Sequence, residues 1–255
     1  MPEPRILIDQ QLSAGAALAL DEAQARHVGT ALRLSAGDHV RVFNARDGEW
    51  RARIADASKR GMKVQIEDFI CAARATPDLD LLFAPVKRHA TDLIVEKATE
   101  LGVRRIRPVI TQRTIAETVR VDRLRSIARE AAEQTERFDV PEIAERLALA
   151  KALDAWDASR PLIYADEASD ERDKPWGGES GRGVSIAEAM SALRTEQLAV
   201  LIGPEGGFTR EERALLRSLP FVNAVSLGPR ILRAETAVIA ALSVVQSLWG
   251  DWAKA

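Results

Sequence analysis

The clearest structural signal in the chain is the stretch Leu198-Ala199-Val200-Leu201-Ile202-Gly203-Pro204-Glu205-Gly206-Gly207-Phe208-Thr209. Its first five residues are all apolar, which is typical of a strand buried on both faces of a parallel sheet. The glycines that follow indicate a tight loop in which the backbone can approach a ligand closely. Thr209, with Glu212 three residues on, matches the capping box that starts a helix. The stretch therefore predicts a strand, a tight loop and a helix within an α/β fold.

A second loop of the same kind follows in Ser226-Leu227-Gly228-Pro229-Arg230-Ile231-Leu232-Arg233-Ala234-Glu235-Thr236-Ala237. Ligands of open α/β sheets bind at the carboxyl ends of the strands, so the two loops are expected to border one pocket. Ile231 and Leu232 would suit the face of a flat ring such as adenine. Each loop could equally be only a tight turn, with Arg233 and Glu235 as a buried ion pair that fixes the second one.

The hydrophobic pattern changes near residues 72–78. Before them, short alternating strands are predicted at 39–44, 49–54 and 62–66, with a hairpin turn at Asp47-Gly48 and a helix that starts at Asp21. After them, predicted strands and helices alternate, which indicates a parallel sheet covered on both faces. The predicted strands lie near 79–84, 106–110, 161–164, 198–202 and 224–227, and the predicted helices near 91–101, 122–137, 209–216 and 234–249. We therefore predict a small β-barrel over 1–74 and an α/β domain over 75–255.

Composition excludes several classes of protein. The 255 residues carry 36 Lys and Arg against 38 Asp and Glu, so a polybasic nucleic-acid binder is excluded and any RNA surface must be a local patch. The single cysteine, Cys71, cannot form an internal disulfide and fits a reducing cytoplasm. The three histidines lack metal-ligand spacing, and the longest apolar run is shorter than the roughly 20 residues of a membrane span. We expect a cytoplasmic protein without a metal or a membrane anchor.

Taken together, the two loops resemble those of the RsmE family, bacterial methyltransferases of the SPOUT superfamily that act on N3 of a uridine in 16S rRNA of the small ribosomal subunit. The resemblance runs from about Arg5 to Ala241. Further matching motifs are Arg26-His27, Leu32-Arg33-Leu34, Gly37-Asp38, Lys97-Ala98-Thr99-Glu100-Leu101-Gly102 and Glu130-Ala131-Ala132-Glu133-Gln134-Thr135-Glu136-Arg137. The resemblance implies a PUA-like β-barrel, an α/β domain with a deep C-terminal trefoil knot, a homodimer, and S-adenosylmethionine (SAM) as cofactor.

The chemistry of this reaction points to three groups of site residues. The expected catalytic residues are Glu205, where it or a nearby carboxylate assists loss of the weakly acidic N3 proton, and Arg233, which helps to hold the anionic base or the loop. The expected cofactor-binding residues are Ile202, Gly203, Glu205, Gly206, Gly207, Leu227, Gly228, Ile231, Leu232 and Thr236. The expected RNA-binding residues are Arg26, His27, Arg33, Lys87, Arg113, Arg123 and Arg137.

Two other functions remain open from the sequence. One is a related knotted methyltransferase that modifies a ribose 2′-oxygen or a tRNA base, and a digest to modified nucleosides would identify it. The other is a non-catalytic RNA-binding factor in ribosome assembly, which would not bind SAM. The apolar closing helix also leaves two options, because Val238, Leu242, Val245 and Trp249 could face the core or a partner subunit.

Overall fold

The computed structural model describes residues 3–58, 61–115, 118–166 and 183–254. The chain forms two compact units. The first unit comprises Met1–Ala75 together with Ala132–Val140, and the second comprises Thr76–Ala131 and Pro141–Ala255.

The first unit contains a five-stranded sheet in the order β1-β3-β4-β5-β2. Strand β1 pairs with β3 in parallel, and the other neighbours are antiparallel. The predicted hairpin is confirmed, because Asn44 pairs with Gly48 across the turn that contains Asp47. The strands are β1 Arg5–Leu7, β2 Ala17–Ala19, β3 His39–Asn44, β4 Gly48–Ser58 and β5 Gly61–Cys71.

The N-terminal helix, which the sequence predicts from Asp21 to about Ala31, is shorter as an α-helix. Helix α1 covers Glu22–Arg26 and starts at Asp21, which forms a capping box with Gln24. The chain then widens into a single π-helical turn over His27–Ala31, and the Leu32 N–H donates to the carbonyl of His27. Single π turns of this type occur frequently at functional sites.

The segment Ala132–Val140 packs within the first unit, although the sequence pattern assigned it to the second domain. The Leu7 N–H donates to the Glu133 carboxylate at 3.1 Å, and Phe138 meets the Phe43 ring edge-on. The Arg5 guanidinium lies 3.9 Å from the centre of the Phe43 ring. These contacts extend the core beyond residues 1–74.

The second unit contains a sheet in the order β11-β13-β10-β12-β6-β7-β8, with β9 paired to β7. Every pairing in it is parallel, as the alternating pattern predicts. Its strands are β6 Asp78–Phe83, β7 Arg105–Ile110, β8 Glu142–Ile143, β9 Leu147–Ala148, β10 Leu162–Ala165, β11 Val184–Ser185, β12 Gln197–Ile202 and β13 Val222–Ser226. Strands β8, β9 and β11 were not predicted, because each contains only two residues and two residues are too few to show an alternating pattern.

In the part of the chain that the structure describes, six helices accompany this sheet, and Trp252–Lys254 form a 3₁₀ turn. Helix α3 begins in the second unit, and its last residues belong to the first. The short helices α4 and α5 were not predicted. The helices are α2 Arg88–Glu100, α3 Val121–Gln134, α4 Leu149–Asp154, α5 Ile186–Ala192, α6 Arg210–Ser218 and α7 Ala234–Leu248.

Helix α7 buries its apolar face within its own subunit. It packs against α2, α5 and β12, and the side chains of Val238, Leu242 and Val245 are fully buried. The indole of Trp249 donates to the carbonyl of Thr195 at 2.7 Å. These four residues therefore face the core rather than a partner subunit. Among the helices that the structure describes, none is long and apolar enough to cross a membrane.

A buried ion cluster joins the central strands at the edge where they begin. Asp80, in the middle of the apolar β6, is fully buried. Its carboxylate contacts the guanidinium groups of Arg105 at 2.8 Å and Arg107 at 3.1 Å. Arg160 approaches it at 3.6 Å and also donates to the carbonyl of Asp78. The carboxylate therefore neutralises cations that converge from two other parts of the chain.

We predict that Asp80→Asn lowers the free energy of unfolding by about 3 kcal/mol, because it removes the one fully buried carboxylate that pairs with Arg105, Arg107 and Arg160 and leaves only Asp78 beside Arg105 and Arg160. Urea unfolding measures this loss. Asp154→Asn, on an exposed position of α4, is the matched control and should cost less than about 0.5 kcal/mol. Equal losses in the two variants would contradict a structural role for the cluster.

Candidate functional site

Four parallel strands of the second unit end at the same edge of the sheet. The register aligns Ile202 of β12 with Phe83 of β6, and Leu201 with Tyr164 of β10. A cavity of about 660 Å³ lies at this edge. Both glycine-containing loops line it, as the sequence predicts, together with residues that follow β6 and β10. Its volume lies within the range of about 300–1,000 Å³ that is usual for small-molecule sites.

The structure gathers almost all of the expected cofactor-binding residues around this cavity. Thr236, which is exposed on α7, is not among the described residues that line it. The buried apolar part of the wall includes Ile202, and the more exposed part includes Ile231. The predicted residues that do line the cavity are Ile202, Gly203, Glu205, Gly206, Gly207, Leu227, Gly228, Ile231 and Leu232.

The first glycine loop is held by an aromatic contact beneath it. The Phe208 ring lies so close to Gly203 that a Cβ atom there would come within 2.5 Å of the ring. Phe208 packs edge-on against Tyr164 on the neighbouring strand, with 5.0 Å between ring centres. Gly207 has a φ of +66°, which favours glycine, and its N–H donates to the carbonyl of Pro204. Gly203 and Gly207 are therefore required by the shape of this turn.

One carboxylate joins this loop to a second one. Glu212 is the third residue of α6, and its Oε2 accepts the N–H of Thr209 at 2.9 Å, which confirms the predicted capping box. Its Oε1 accepts the N–H of Gln112 at 2.8 Å, in the segment that follows β7. Glu212 is buried, so both oxygens act in a site of low dielectric constant.

The segment held by Glu212 carries Arg113. The Nη1 of Arg113 donates to the carbonyl of Gly206 at 3.0 Å. Thr114 caps the same segment, because its hydroxyl accepts the N–H of Thr111 at 2.9 Å. Arg113 is therefore anchored both through its backbone neighbours and through its side chain, beside the first glycine loop.

A smaller cavity of about 410 Å³ adjoins the first one. Four residues line both cavities, namely Lys87, Arg113, Pro204 and Glu205. Of the expected RNA-binding residues, Arg123 also lines this second cavity, where it forms a two-point ion pair with Asp92. Glu205, one of the expected catalytic residues, thus lies between the two cavities, whereas Arg233 lines the first cavity only.

The wall of the first cavity includes an ion pair that the sequence reading missed. The carboxylate of Asp166, just beyond β10, accepts from Arg213 at 3.0 Å and from Arg217 at 2.6 Å. Burial, with the Asp166 carboxylate close by, raises the pKa of the Tyr164 hydroxyl well above its usual range. The position of Asp166 at a strand's carboxyl end was the available signal, because that edge is where ligands bind.

Comparison with known proteins identifies the family. An RNA methyltransferase domain model matches residues 74–246, and a PUA domain model of RNA methyltransferases matches residues 20–67. Ribosomal RNA small subunit methyltransferase E of Rickettsia conorii is 33% identical over 245 residues, covering 96% of this chain and 95% of that protein. The chain belongs to the ribosomal RNA small subunit methyltransferase E family.

Solved structures of similar proteins show the same fold with a cofactor. A methyltransferase from Legionella pneumophila, solved with bound SAM, is 29% identical, with a TM-score of 0.82 over 98% of this chain and 100% of that one. The ribosomal RNA small subunit methyltransferase E of Neisseria gonorrhoeae, bound to S-adenosylmethionine, is 28% identical, with a TM-score of 0.81 and the same coverage.

The remaining RNA-binding residues expected from the methyltransferase E resemblance lie in the first unit, and they differ in exposure. Arg26, His27 and Arg33 are exposed on α1, the π turn and the loop after it. Arg33 has a φ of +56°, a left-handed conformation that is unfavourable for a residue with a side chain. Strained backbone of this type is concentrated at functional sites.

Arg137 is unsuited to the RNA contact that we expected of it. Its side chain is only 5% exposed, and it forms a two-point ion pair with Asp139 at 2.8 and 3.0 Å. A guanidinium held in this way stabilises the segment Ala132–Val140 and is not presented to a phosphate.

Among the described residues, no group of histidine, cysteine, aspartate and glutamate side chains could hold a metal ion.

We predict that Glu212→Gln lowers the free energy of unfolding by about 1–3 kcal/mol and weakens SAM binding. The amide can accept one N–H, but its own NH₂ group would face the other N–H donor. Urea unfolding and isothermal titration with SAM measure the two effects. Glu211→Gln, on the same turn but exposed, is the control and should cost less than about 1 kcal/mol. Unchanged SAM affinity in Glu212→Gln would show that the two hydrogen bonds of Glu212 do not shape the cavity.

We predict that Arg33→Gly and Arg33→Ala weaken RNA binding equally but differ in stability. Both remove one cation, so the slope of log K against log salt should fall by about 0.7 for a single-stranded site. Glycine adopts the positive φ without strain, so Arg33→Gly should be about 1 kcal/mol more stable than Arg33→Ala. Filter binding across a salt series and thermal unfolding measure the two effects. A salt slope equal to that of the wild type would remove Arg33 from the RNA surface.

Proposed function

We propose that this protein transfers the methyl group of SAM to N3 of a uridine in 16S rRNA of the small ribosomal subunit. The observation that carries the proposal is the cavity built from both glycine loops at the carboxyl edge of the parallel sheet, with Glu205 and Arg233 in its wall. The family membership, the names of the similar proteins and the SAM-bound neighbours support the same reaction.

The cavity suits SAM in both size and chemistry. Ile202, Leu227, Ile231 and Leu232 offer an apolar surface to the adenine ring, and the glycine loops expose backbone groups to its polar edge. When bound, SAM supplies a methyl group activated by a positively charged sulfur. The work left to the protein is to position the nucleophile and to remove its proton.

Glu205 and Arg233 are the side chains proposed for that work. Glu205 is exposed on the wall between the two cavities, where its carboxylate can accept the N3 proton of an incoming uracil. Arg233 is the N-cap of α7, a position where the helix dipole disfavours a cation. The charge of Arg233 therefore does not stabilise the helix, and we infer that it acts on a ligand. Together with the positive end of the dipole it would stabilise an anionic base.

The RNA substrate must present its target base unpaired, because N3 lies on the Watson–Crick edge. Exposed polar and charged side chains can bind such a strand. The proposed RNA-binding residues are Arg26, His27, Arg33, Lys87, Arg113 and Arg123. With a net charge of −2, the protein has to find its site through local charge and shape, as expected for a folded ribonucleoprotein substrate.

We also infer the finer features of the architecture that the RsmE resemblance implies, a closed β-barrel in the first unit and a C-terminal trefoil knot in the second. Strand β13 lies outside β10 in the sheet, yet α7 returns to pack on α2 and β12, so the chain crosses back over β10. This return path supports a knot.

A homodimer in the cytoplasm completes the proposal. Leu248 and Trp252, near the C-terminus, are each about half exposed although they are large and apolar, which supports a subunit contact there. Cytoplasmic action follows from the proposed substrate, since ribosomal subunits are assembled in that compartment.

Methyl transfer from labelled SAM to small ribosomal subunits that lack the modification tests the function. We expect labelled 3-methyluridine in the nucleoside digest. Glu205→Gln and Arg233→Ala should each lower the single-turnover rate by about 100-fold or more. A labelled ribose-methylated nucleoside, or transfer to tRNA only, would instead identify a related methyltransferase with another target. Absence of both transfer and SAM binding would favour a non-catalytic RNA-binding factor.

A further inference from the structure

We propose that the second cavity receives the target uracil, and that Arg113 is a further cation, besides Arg233, that stabilises this base when it loses its N3 proton. The inference rests on the proposed function and adds to it a substrate subsite and a further catalytic residue. It starts from the shared wall, because Lys87, Arg113, Pro204 and Glu205 line both cavities. A group in the second cavity is therefore next to any cofactor in the first.

The lining of the second cavity fits a nucleotide. Its walls include the apolar side chains of Val86, Val119, Leu124 and Pro204, and Ile115 stands three-quarters exposed at the same site. Such surfaces suit the faces of a flat, neutral ring. Five cationic side chains surround them, namely Lys87, Arg88, Arg113, Arg120 and Arg123. This pattern favours an apolar base inside and backbone phosphates at the rim.

Arg113 differs from the other cations in how firmly it is held. The Gln112 N–H is bound to buried Glu212 at 2.8 Å, and the Arg113 side chain donates to the carbonyl of Gly206 at 3.0 Å. Arg88, Arg120 and Arg123 line only the second cavity, whereas Arg113 lines both. A charge fixed before the reaction stabilises a developing anion more effectively than a mobile one.

The chemistry needs such a charge at this position. When uracil gives its N3 proton to the Glu205 carboxylate, the electron pair remains on N3 and the negative charge moves from the carboxylate to the ring. Arg113 lines the second cavity, so its charge lies on the side where the ring becomes the anion. Near a protein surface this attraction is stronger than in bulk water. The effect depends on the charge of Arg113 and not on any particular N–H group.

The pH dependence of single-turnover methyl transfer tests the role of Arg113. We expect Arg113→Gln to slow 3-methyluridine formation by about 100-fold at neutral pH. The loss should shrink as the pH rises, because the uracil then ionises without help, and it should also be smaller on RNA that contains the more acidic 5-fluorouracil. Arg113→Lys should recover part of the rate, and SAM affinity should stay within about threefold in both variants. Arg120→Gln is the control, because a rim cation should weaken RNA binding without changing the pH profile.

A slowing by Arg113→Gln that is the same at every pH and for both bases would overturn its catalytic role and leave only the support of Gly206.

A second variant tests the subsite itself. Val119→Trp should fill the cavity and abolish methyl transfer while SAM affinity and the melting temperature are preserved. Full activity of Val119→Trp would exclude uracil from the cavity.

Light scattering on Val119→Trp tests whether the cavity instead binds a second copy of the chain. If the variant loses both activity and self-association, the cavity belongs to a subunit contact and the proposal is overturned. Failure of the wild-type protein to form 3-methyluridine would overturn the proposed function and the subsite together. If the wild type is active but Val119→Trp keeps full activity, or Arg113→Gln slows transfer equally at every pH, only the subsite proposal is overturned.

Discussion

The carboxylate of Glu212 holds together two loops that the sheet leaves free. Strands β7 and β12 end at the same edge, but β6 lies between them, so no ladder of hydrogen bonds connects the segments that follow. Glu212 supplies the connection, because one of its oxygens accepts from Thr209 and the other from Gln112. Through Gln112 it positions Arg113, which in turn contacts the carbonyl of Gly206. These few hydrogen bonds fix two of the segments that line the cavities.

Much of this arrangement could be predicted locally. The apolar run of β12, the glycine turn and the capping box each depend on neighbouring residues, and each is confirmed. The second hydrogen bond of Glu212 could not be predicted, because it joins residues 100 positions apart and Gln112 contributes only its backbone. The ion pairs of Asp80 could not be predicted either. It stands out as a lone acid in an apolar strand, but its arginine partners come from β7 and from the segment before β10.

Arg137 shows why a family-like motif does not reveal what its residues do. From the sequence, a cluster of mixed charges at the end of a predicted helix reads as a solvated face open to RNA. In the structure, Arg137 is buried against Asp139, and Glu133 accepts the N–H of Leu7 on β1. Charge alone cannot distinguish an arginine that binds phosphate from one that completes a core, because the difference lies in which acid is nearby. The segment Ala132–Val140 therefore belongs to the first unit for structural reasons.

The contrast between the two cavities explains how a protein with a net charge of −2 can handle an anionic polymer and an anionic intermediate. Charge summed over the whole surface would attract any RNA and would be screened by salt. Charge concentrated around a small cavity acts over a few ångströms, where salt screening is weak and the effective dielectric constant is below that of bulk water. Arg113 and Glu205 line both cavities, so in the proposed mechanism the cation, the base and the cofactor share one boundary. Recognition of an unpaired base and stabilisation of its anion would then depend on the same local feature of the fold.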